Sequence, residues 1–276
     1  MSKSECFLLK KHILLLLFVC SFGMASAVTL HDLPWVKGND ADSIRYAIPY
    51  LPKCPVIIEA GVYDGEDTVQ AKKIWPNSVI YGFEPNPTSY QKATNNTRNL
   101  PGIKLFPYAL SNHIGKLTFY VSKMNAGCSS LLKDNFGSVN WVFDSDPSKA
   151  ELTNNHYHDT AIEVATTTLN SWRKQHHIPN VDYIWLDTEG AELQILSCAT
   201  TILPTVRVIS TEVNFQEFRS NMTQFFDLYQ FLTEQGFSLK YIWGNRDWQG
   251  VAMFINNRFL DFHPEHVEGY IIPEPL

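Results

Sequence analysis

The sequence predicts an α/β fold, with a doubly wound and mostly parallel sheet that ends in an antiparallel hairpin. The apolar run 56–60 is followed by two glycines, Gly61 and Gly65, and then by a helical pattern. A strand, a glycine turn and a helix form the first unit of doubly wound nucleotide-binding folds. Apolar strand patterns then alternate with helix patterns along the chain. Near the end, two strand patterns flank the turn residues 244–247, as expected for a hairpin.

The elements follow in a regular order from the glycine turn onward. Strands are predicted at 56–60, 78–84, 103–110, 116–121, 161–167, 183–186, 206–213, 238–243 and 251–255. Helices are predicted at 66–75, 88–99 and 169–177, after the acidic residues 187–192 as far as about 199, and at 222–235.

Two of these segments carry a more specific expectation. The alternating pattern of 116–121 predicts an added edge strand, and Thr68 is expected to cap the first helix. Between 122 and 159 the pattern is lost in a segment rich in Ser, Asn, Asp and Gly. Because long irregular loops in compact domains are usually functional, we predict a lid or substrate loop there.

Residues 1–27 have the pattern of a secretory signal peptide, with lysines before a leucine-rich run and Ala25-Ser26-Ala27 at its far end. The uncharged stretch 13–30 is close to the length at which a membrane-spanning helix becomes possible, roughly 18 residues, so an uncleaved signal anchor is the alternative. The protein is therefore expected to be exported or membrane-anchored, with residues 11–30 as the membrane-associated segment. The pattern leaves the side of the membrane open.

The rest of the chain, residues 28–276, contains no repeat or linker and is expected to form a single domain. The formal net charge is −6, and the Lys and Arg residues are scattered along the chain. Because nucleic-acid-binding proteins concentrate basic residues in a patch or stripe, no nucleic-acid partner is expected.

The spacing of acids and glycines indicates the kind of ligand. Glu59 ends the first strand, and two glycines follow it, where a dinucleotide fingerprint has three. Glu84 closes the next apolar run, where a carboxylate can accept hydrogen bonds from both ribose hydroxyls. An acid about 20 residues after the glycines also marks NAD sites, so an NAD-dependent enzyme remains the weaker alternative. Together the two acids favour an adenosine ligand that lacks a pyrophosphate.

Short motifs spread from residue 59 to residue 212 resemble those of a known family. They are Glu59-Ala60-Gly61 with Gly65 and Thr68, Phe83-Glu84-Pro85-Asn86-Pro87, Ala109-Leu110-Ser111-Asn112, Ser129-Ser130-Leu131, Thr168-Leu169, Asp187-Thr188-Glu189-Gly190-Ala191-Glu192 and Glu212. In these motifs, and over about 56–236, the sequence resembles the FkbM family of methyltransferases. Alternating strands and helices that end in a hairpin are also the plan of class I S-adenosylmethionine-dependent methyltransferases.

The resemblance implies a function and a set of binding residues. It implies methyl transfer from S-adenosylmethionine, commonly to a hydroxyl oxygen, so the expected partner is a sugar, a glycan or a small metabolite. The residues that it implies for cofactor binding are Glu59, Gly61, Gly65, Thr68, Glu84 and Ser111.

The acids after the buried strand 183–186 are the candidate catalytic residues. Methyl transfer depends mainly on placement, but an alcohol must also lose its proton to a base. Asp187 is the first candidate for base or substrate anchor, followed by Glu189 and Glu212. These three acids could instead hold a divalent cation through oxygen ligands. In a simpler interpretation, Asp187 or Thr188 only caps a helix that begins at Glu189.

An alternative from another functional class is a secreted binding domain that retains the fold without catalysis. Tyr63 stands in the glycine turn where the family usually has Asn. A secreted enzyme would also be separated from S-adenosylmethionine, which is made in the cytosol. These two features favour the binding domain, whereas the acidic motif favours the enzyme.

Overall fold

A computed structural model of the chain describes residues 29–37, 43–123, 125–135 and 159–261. The leader predicted at 1–27 and most of the loop predicted at 122–159 lie outside these residues. Of the described residues, 29–33 belong to a separate unit, in which Thr29 donates hydrogen bonds from its amide and hydroxyl to the Asp32 carboxylate. No helix in the described part of the chain is long and apolar enough to cross a bilayer.

The strands of the described residues are β1 (Val56–Ala60), β2 (Val79–Phe83), β3 (Ile103–Phe106), β4 (Ala109–Leu110), β5 (Gly115–Val121), β6 (Thr160–Thr167), β7 (Tyr183–Leu186), β8 (Val208–Asn214), β9 (Phe237–Gly244) and β10 (Gln249–Asn256). The α-helices are α1 (Ser43–Tyr46), α2 (Glu66–Ile74), α3 (Pro87–Thr97), α4 (Leu169–Gln175), α5 (Glu192–Ser197) and α6 (Phe225–Glu234). Short 3₁₀ turns cover Ile48–Tyr50, Ala126–Cys128, Leu203–Thr205 and Asn257–Phe259.

The main sheet has seven strands in the order β3-β2-β1-β7-β8-β10-β9. Strands β3, β2, β1, β7 and β8 are parallel, and β10 pairs antiparallel with both β8 and β9. The chain therefore winds outward from β1 in one direction and from β7 in the other. Ligands of such sheets bind outside the carboxyl ends of the strands where the winding reverses. The predicted fold, including its terminal hairpin, is confirmed.

A second, three-stranded sheet has the order β4-β6-β5. The prediction of one strand over 103–110 is therefore wrong, because this stretch divides between the two sheets at Pro107 and Tyr108. Proline lacks the backbone N–H that a continuous ladder needs. The strand predicted at 116–121 does lie at an edge, but its sheet is this smaller one.

Local sequence explains where two of the helices begin. The Asn86 side chain accepts a hydrogen bond from the Thr88 amide at 3.0 Å, and the Thr168 hydroxyl accepts one from the Ser171 amide at 3.2 Å. Each of these side chains satisfies an amide that has no partner within its own helix. Pro87 at the first position of α3 adds a backbone angle that suits a helix start.

Aromatic packing fixes the ends of the main sheet. Tyr46 stacks on Trp243 with ring centroids 5.1 Å apart, which attaches α1 to β9. The fully buried Trp172 of α4 makes edge contacts with Tyr81 and Phe83, at 5.0 and 5.1 Å between centroids. Because Phe83 is the last residue of β2, this packing holds the strand end from which the adjacent Glu84 projects.

Candidate active site

A cleft of about 490 Å³, partly open to solvent, lies at the carboxyl ends of β1, β2 and β7. Its lining combines strand ends with part of the second sheet and the segment that follows it: Ala60, Gly61, Tyr63, Phe83, Glu84, Pro85, Tyr108, Ala109, Leu110, Phe119, Ala126, Gly127, Ser129, Leu131, Asp187, Thr188 and Ala191. Of the predicted site residues, Gly61, Glu84 and Asp187 line this cleft.

Gly61 allows the ends of β1 and β7 to meet. Its φ of +88° is unfavourable for other residues, and a Cβ built there would lie 1.8 Å from the carbonyl oxygen of Asp187. The Asp187 amide in turn donates to the carbonyl of Ala60 at 2.9 Å. Gly65, with φ +85°, precedes α2 and does not line the cleft; a Cβ there would lie 3.2 Å from the Cα of Ala93 in α3.

Glu84 is held by backbone amides at the rim of the cleft. Its Oε2 accepts from the Tyr63 amide and its Oε1 from the Asn86 amide, both at 2.8 Å. A carboxylate has about four acceptor positions, so about two remain for a ligand. Burial raises the pKa of Glu84 to about 7, although the two amide hydrogen bonds oppose the rise.

Tyr63 occupies the left-handed region of backbone space, with φ 51°. Asn tolerates this conformation better than most residues, which gives a physical reason for the family's usual residue at this position. The Tyr63 ring faces Lys92, whose Nζ lies 6.0 Å from the ring centroid. The amide of Tyr63 still serves the Glu84 carboxylate, so the substitution preserves that contact.

Glu59 and Thr68 form a buried pair beneath the cleft rather than on its surface. The Thr68 hydroxyl donates to the Glu59 carboxylate at 2.7 Å, and only 4% of Glu59 is exposed. Burial raises the pKa of Glu59 to about 8, against the opposing effect of this hydrogen bond. The expected capping role of Thr68 is wrong, because Gly65 occupies the N-cap and makes no side-chain cap bond.

Ser111 is also buried and does not line the cleft. Its amide donates to the carbonyl of Thr167 at 3.0 Å, and its hydroxyl accepts from the His113 amide at 3.3 Å. These bonds fix the end of β4, whose residues Ala109 and Leu110 do line the cleft. Ser111 is thus placed behind the cleft wall.

The three predicted catalytic acids come together. Asp187, Glu189 and Glu212 each offer a carboxylate oxygen, and these oxygens all lie within 4.8 Å of one another. The register explains the approach of two of them, because Leu186 of β7 pairs with Thr211 of β8 and the next residue of each strand is an acid. Asp187 is exposed, whereas only 6% of Glu212 is exposed.

The charges of these acids oppose one another. Burial raises the pKa of Glu212 well above its ordinary value, and the nearby charges of Glu189 and Asp187 raise it further. Burial raises the pKa of Glu189 to about 7, while the positive charge of Arg219 opposes the rise. At neutral pH the cluster therefore holds protons that isolated carboxylates would release.

Glu192 shapes the turn that carries Asp187 and Glu189, a role that the sequence did not indicate. Its fully buried Oε1 accepts from the amide and hydroxyl of Thr188, at 3.1 and 2.8 Å, and from the Gly190 amide at 3.1 Å. Helix α5 begins only at Glu192 and has no side-chain cap, so the interpretation of Asp187 or Thr188 as a cap is wrong. The spacing Thr-x-x-x-Glu is visible in the sequence, but it does not specify the turn on which these hydrogen bonds depend.

Arg219 is a second residue that the sequence did not indicate. Only 7% of it is exposed, and its guanidinium donates to the carbonyls of Leu132 and Cys128 and pairs with the Asp159 carboxylate at 3.4 Å. It thereby joins the loop after β8 to the segment 125–135, part of which lines the cleft. No local pattern indicates these partners, because they are 60 to 91 residues away in sequence.

Several solved structures resemble this chain at low sequence identity. The precorrin-6y C5,15-methyltransferase of Geobacter metallireducens has a TM-score of 0.41 and 10% identity, covering 77% of this chain and 87% of that one. The M. capricolum TrmK structure, in complex with S-adenosyl-homocysteine, has a TM-score of 0.45 and 10% identity, covering 85% and 73%.

Sequence relatives are somewhat closer. The 2-O-methyltransferase NoeI of Sinorhizobium fredii is 28% identical over 171 residues, which are 59% of this chain and 65% of that protein. Methyltransferase sdnD of Sordaria araneosa is 24% identical over 162 residues, or 55% and 62% of the two chains. The chain thus spans less than two thirds of the length of these curated relatives.

The family assignment comes from residues 59–239, which match the methyltransferase FkbM domain. This range begins at Glu59 in β1, ends within β9, and includes Glu84 and all three clustered acids. It covers well over half of the 276 residues. The chain therefore belongs to the FkbM methyltransferase domain family.

Proposed function

We propose that this protein is an S-adenosylmethionine-dependent methyltransferase that methylates a hydroxyl oxygen of a sugar, a glycan or a small metabolite. The observation that carries the proposal is the shared cleft, which is lined by Gly61, Glu84 and Asp187 together. A ligand-binding strand end and a candidate base therefore face the same space. Family membership and the names of the relatives support the same reaction.

The residues of the cleft fit the proposed cofactor. The acceptor positions left on the Glu84 carboxylate suit the two hydroxyls of a ribose. At Gly61 the missing side chain lets a ligand approach the backbone. The remaining cofactor residues do not line the cleft and would support its walls: Glu59 and Thr68 through the hydrogen bond between them, Gly65 through the turn, and Ser111 through the end of β4.

Methylation of a hydroxyl requires that the acceptor oxygen be placed in line with the methyl group and that a base accept the hydroxyl proton. S-adenosylmethionine supplies a methyl group that is already activated by its sulfonium, so the protein contributes mainly by orienting the acceptor oxygen. Asp187 is exposed at the end of β7 and lines the cleft, so its carboxylate is placed to take the hydroxyl proton. Glu189 and Glu212 lie beside it and would anchor the acceptor.

The clustered acids also constrain the acceptor. In the absence of a bound cation, negative charge on carboxyl groups whose oxygens lie within 4.8 Å of one another would repel a phosphate or a carboxylate that approached them. The same oxygens are good acceptors for hydroxyl hydrogen bonds. This favours a neutral molecule with several hydroxyl groups, as in a sugar.

Calorimetric titration of S-adenosylmethionine into the full-length protein tests the cofactor half of the proposal. In Glu84→Ala we expect binding weaker by about 10- to 100-fold, because hydrogen bonds to a charged group are lost. Glu66→Ala is the matched control, since Glu66 is exposed at the start of α2 outside the cleft, and its binding should equal that of the unmodified protein. Absence of binding at millimolar cofactor would overturn the proposal and favour a non-catalytic binding domain.

Transfer of a labelled methyl group to neutral sugars tests the catalytic half. Asp187→Asn should bind S-adenosylmethionine like the unmodified protein but transfer methyl groups at least about 100-fold more slowly, which is a common contribution of a general base. Unchanged transfer by Asp187→Asn would remove Asp187 from this role.

For location, we propose that residues 1–27 export the domain or anchor it in a membrane through residues 11–30. The proposal is supported by the lysines, the leucine-rich run and the Ala25-Ser26-Ala27 site. N-terminal sequencing of the expressed protein tests it. A start at Val28 would indicate cleavage, an intact leader in the membrane fraction would indicate an anchor, and an intact leader in the soluble fraction would contradict both.

A further inference from the structure

The acid cluster contains a buried carboxylate oxygen with no partner among the described residues. This atom is Oε2 of Glu212, in a side chain that is only 6% exposed. Buried acceptors are almost always hydrogen-bonded, because an unpaired one loses its contact with water and gains nothing in return. Glu212 also places a carboxylate oxygen within 4.8 Å of those of Asp187 and Glu189. Glu212 thus combines a buried oxygen that has no partner among the described residues with a carboxylate that lies beside those of the other two acids.

The backbone holds this arrangement in place without help from a ligand. Glu189 has φ 55°, a conformation that few side chains other than Asn, Asp and Gly adopt readily. The Ser130 hydroxyl donates to the Glu189 carbonyl at 2.9 Å, and Glu192 fixes the amides of Thr188 and Gly190. A turn held this firmly presents its acids in a preformed geometry.

We propose that Asp187, Glu189 and Glu212 form a binding site for a single hard divalent cation of the Mg²⁺, Mn²⁺ or Ca²⁺ type. Such ions prefer carboxylate oxygens, at about 2.1 Å for Mg²⁺ and about 2.4 Å for Ca²⁺. Two ligands on opposite sides of the ion then lie about 4.2–4.8 Å apart. The three carboxylate oxygens, all within 4.8 Å of one another, therefore lie no farther apart than two ligands of one such ion can.

Asn214 is a candidate to assist the site. It follows Glu212 by two residues on β8, so both side chains leave the same face of the strand. Its amide oxygen and nitrogen are both buried without a hydrogen-bond partner among the described residues. An amide oxygen is an accepted ligand for these cations, and an amide N–H could instead orient a bound hydroxyl.

The role of the cation rests on the proposed function, although the site itself does not. An acceptor hydroxyl bound to the cation would have a lowered pKa, so its proton would pass more readily to a nearby base. The cation would also offset the repulsion among the three carboxylates. The acceptor oxygen would be positioned next to Asp187, on the wall of the cleft.

Titration of Mn²⁺ into the full-length protein, followed by the electron paramagnetic resonance signal of free Mn²⁺, tests the site without S-adenosylmethionine. We expect one bound ion, displaced by excess Mg²⁺ or Ca²⁺. Glu212→Gln and Asp187→Asn should each weaken binding by at least about tenfold, because each removes a charged oxygen ligand. Glu234→Gln is the control, since Glu234 is an exposed acid on α6 whose carboxylate accepts a hydrogen bond from Gln230, and the Mn²⁺ affinity of this variant should be unchanged.

Folding of each variant is checked by circular dichroism, and Asp187→Asn covers a failure of Glu212→Gln because Asp187 is exposed. Equal Mn²⁺ affinity in the unmodified protein, Asp187→Asn and Glu234→Gln would overturn the proposal. S-adenosylmethionine binding is measured separately on the same preparations. Loss of the cation site with intact cofactor binding would leave the proposed function standing, and the reverse result would leave only the cation site.

Discussion

At the scale of single residues, Gly61 sets how closely the cofactor turn approaches the acid motif. A Cβ at this position would lie 1.8 Å from the Asp187 carbonyl oxygen, far inside van der Waals contact, and φ is +88°. In Gly61→Ala the ends of β1 and β7 must therefore separate. We expect a loss of at least about 3 kcal/mol in the free energy of unfolding, from steric overlap added to left-handed strain. Urea denaturation of the full-length protein measures it.

Gly236→Ala is the control for the backbone strain alone. Gly236 has a similar φ of +84°, but nothing lies within 4 Å of the Cβ that alanine would add. Gly236→Ala should lower the free energy of unfolding by about 1–2 kcal/mol, which is the strain of an alanine held in the left-handed region. Equal losses in the two variants would show that the approach of Gly61 to Asp187 has no energetic consequence.

The site residues that could be predicted from the sequence share one property. Glu59, Glu84 and Asp187 each stand at the end of an apolar run, and the ends of parallel strands meet at one edge of a sheet. Glu192 stands at no strand end, and its role depends on a turn in which Gly190 adopts φ 101°. A pattern of residue types does not contain that backbone geometry.

At the scale of elements, the segment 125–135 depends on Arg219. The guanidinium donates to the carbonyls of Leu132 and Cys128 and pairs with the buried side chain of Asp159. Arg219→Gln would leave Asp159 as a buried charge without its ion pair, which costs about 3–5 kcal/mol in comparable sites. We expect faster amide hydrogen exchange in 125–135, measured by mass spectrometry.

The pattern of exchange decides how this result is interpreted. Strands β1 and β7 should exchange as in the unmodified protein, because local opening does not require the main sheet to unfold. Arg98→Gln is the control, since Arg98 is exposed after α3, and it should change stability by no more than about 0.5 kcal/mol. Uniformly faster exchange in Arg219→Gln would indicate global destabilisation and contradict a local role for Arg219.

The elements that the sequence did not predict correctly involve the second sheet. The break at Pro107 divides one apolar run between two sheets, and β6 pairs with β4 and β5 instead of joining the main sheet. Strand pattern alone does not specify a partner, because pairing depends on contacts distant in sequence. The alternation of strands and helices in the main sheet was predictable, because the spacing of apolar residues differs between a buried strand and the helix that follows it.

At the scale of the whole molecule, the strand order gathers acids that are far apart in sequence. Strands β2, β1, β7 and β8 are neighbours, and each carries an acid within or just after its carboxyl end. Burial raises the pKa of Glu59 and Glu84 to about 8 and about 7, and that of Glu212 well above its ordinary value. The fold therefore holds several carboxyls that resist ionisation, and a bound cation or a cationic cofactor would relieve that cost.

This arrangement predicts how stability depends on pH. A carboxyl whose pKa is higher in the folded than in the unfolded protein stabilises the fold below about pH 4.5, and this contribution is lost as pH rises through the folded value. For Glu59 and Glu84 the loss extends over about pH 5 to 8. Without ligands, we expect the free energy of unfolding to fall by at least about 2 kcal/mol between pH 5 and pH 9, measured by urea denaturation.

Glu59→Gln separates this effect from general repulsion in a chain of net charge −6. Glutamine can still accept the Thr68 hydrogen bond, and its buried amide adds a cost that is the same at every pH. The free energy of unfolding of the variant should therefore fall less steeply with pH, and its difference from the unmodified protein should shift in favour of the variant as pH rises. Glu66→Gln removes an exposed charge from the same region and should leave the slope nearly unchanged. If Glu59→Gln and Glu66→Gln change the slope equally, then net charge explains the pH dependence and the buried Glu59 does not.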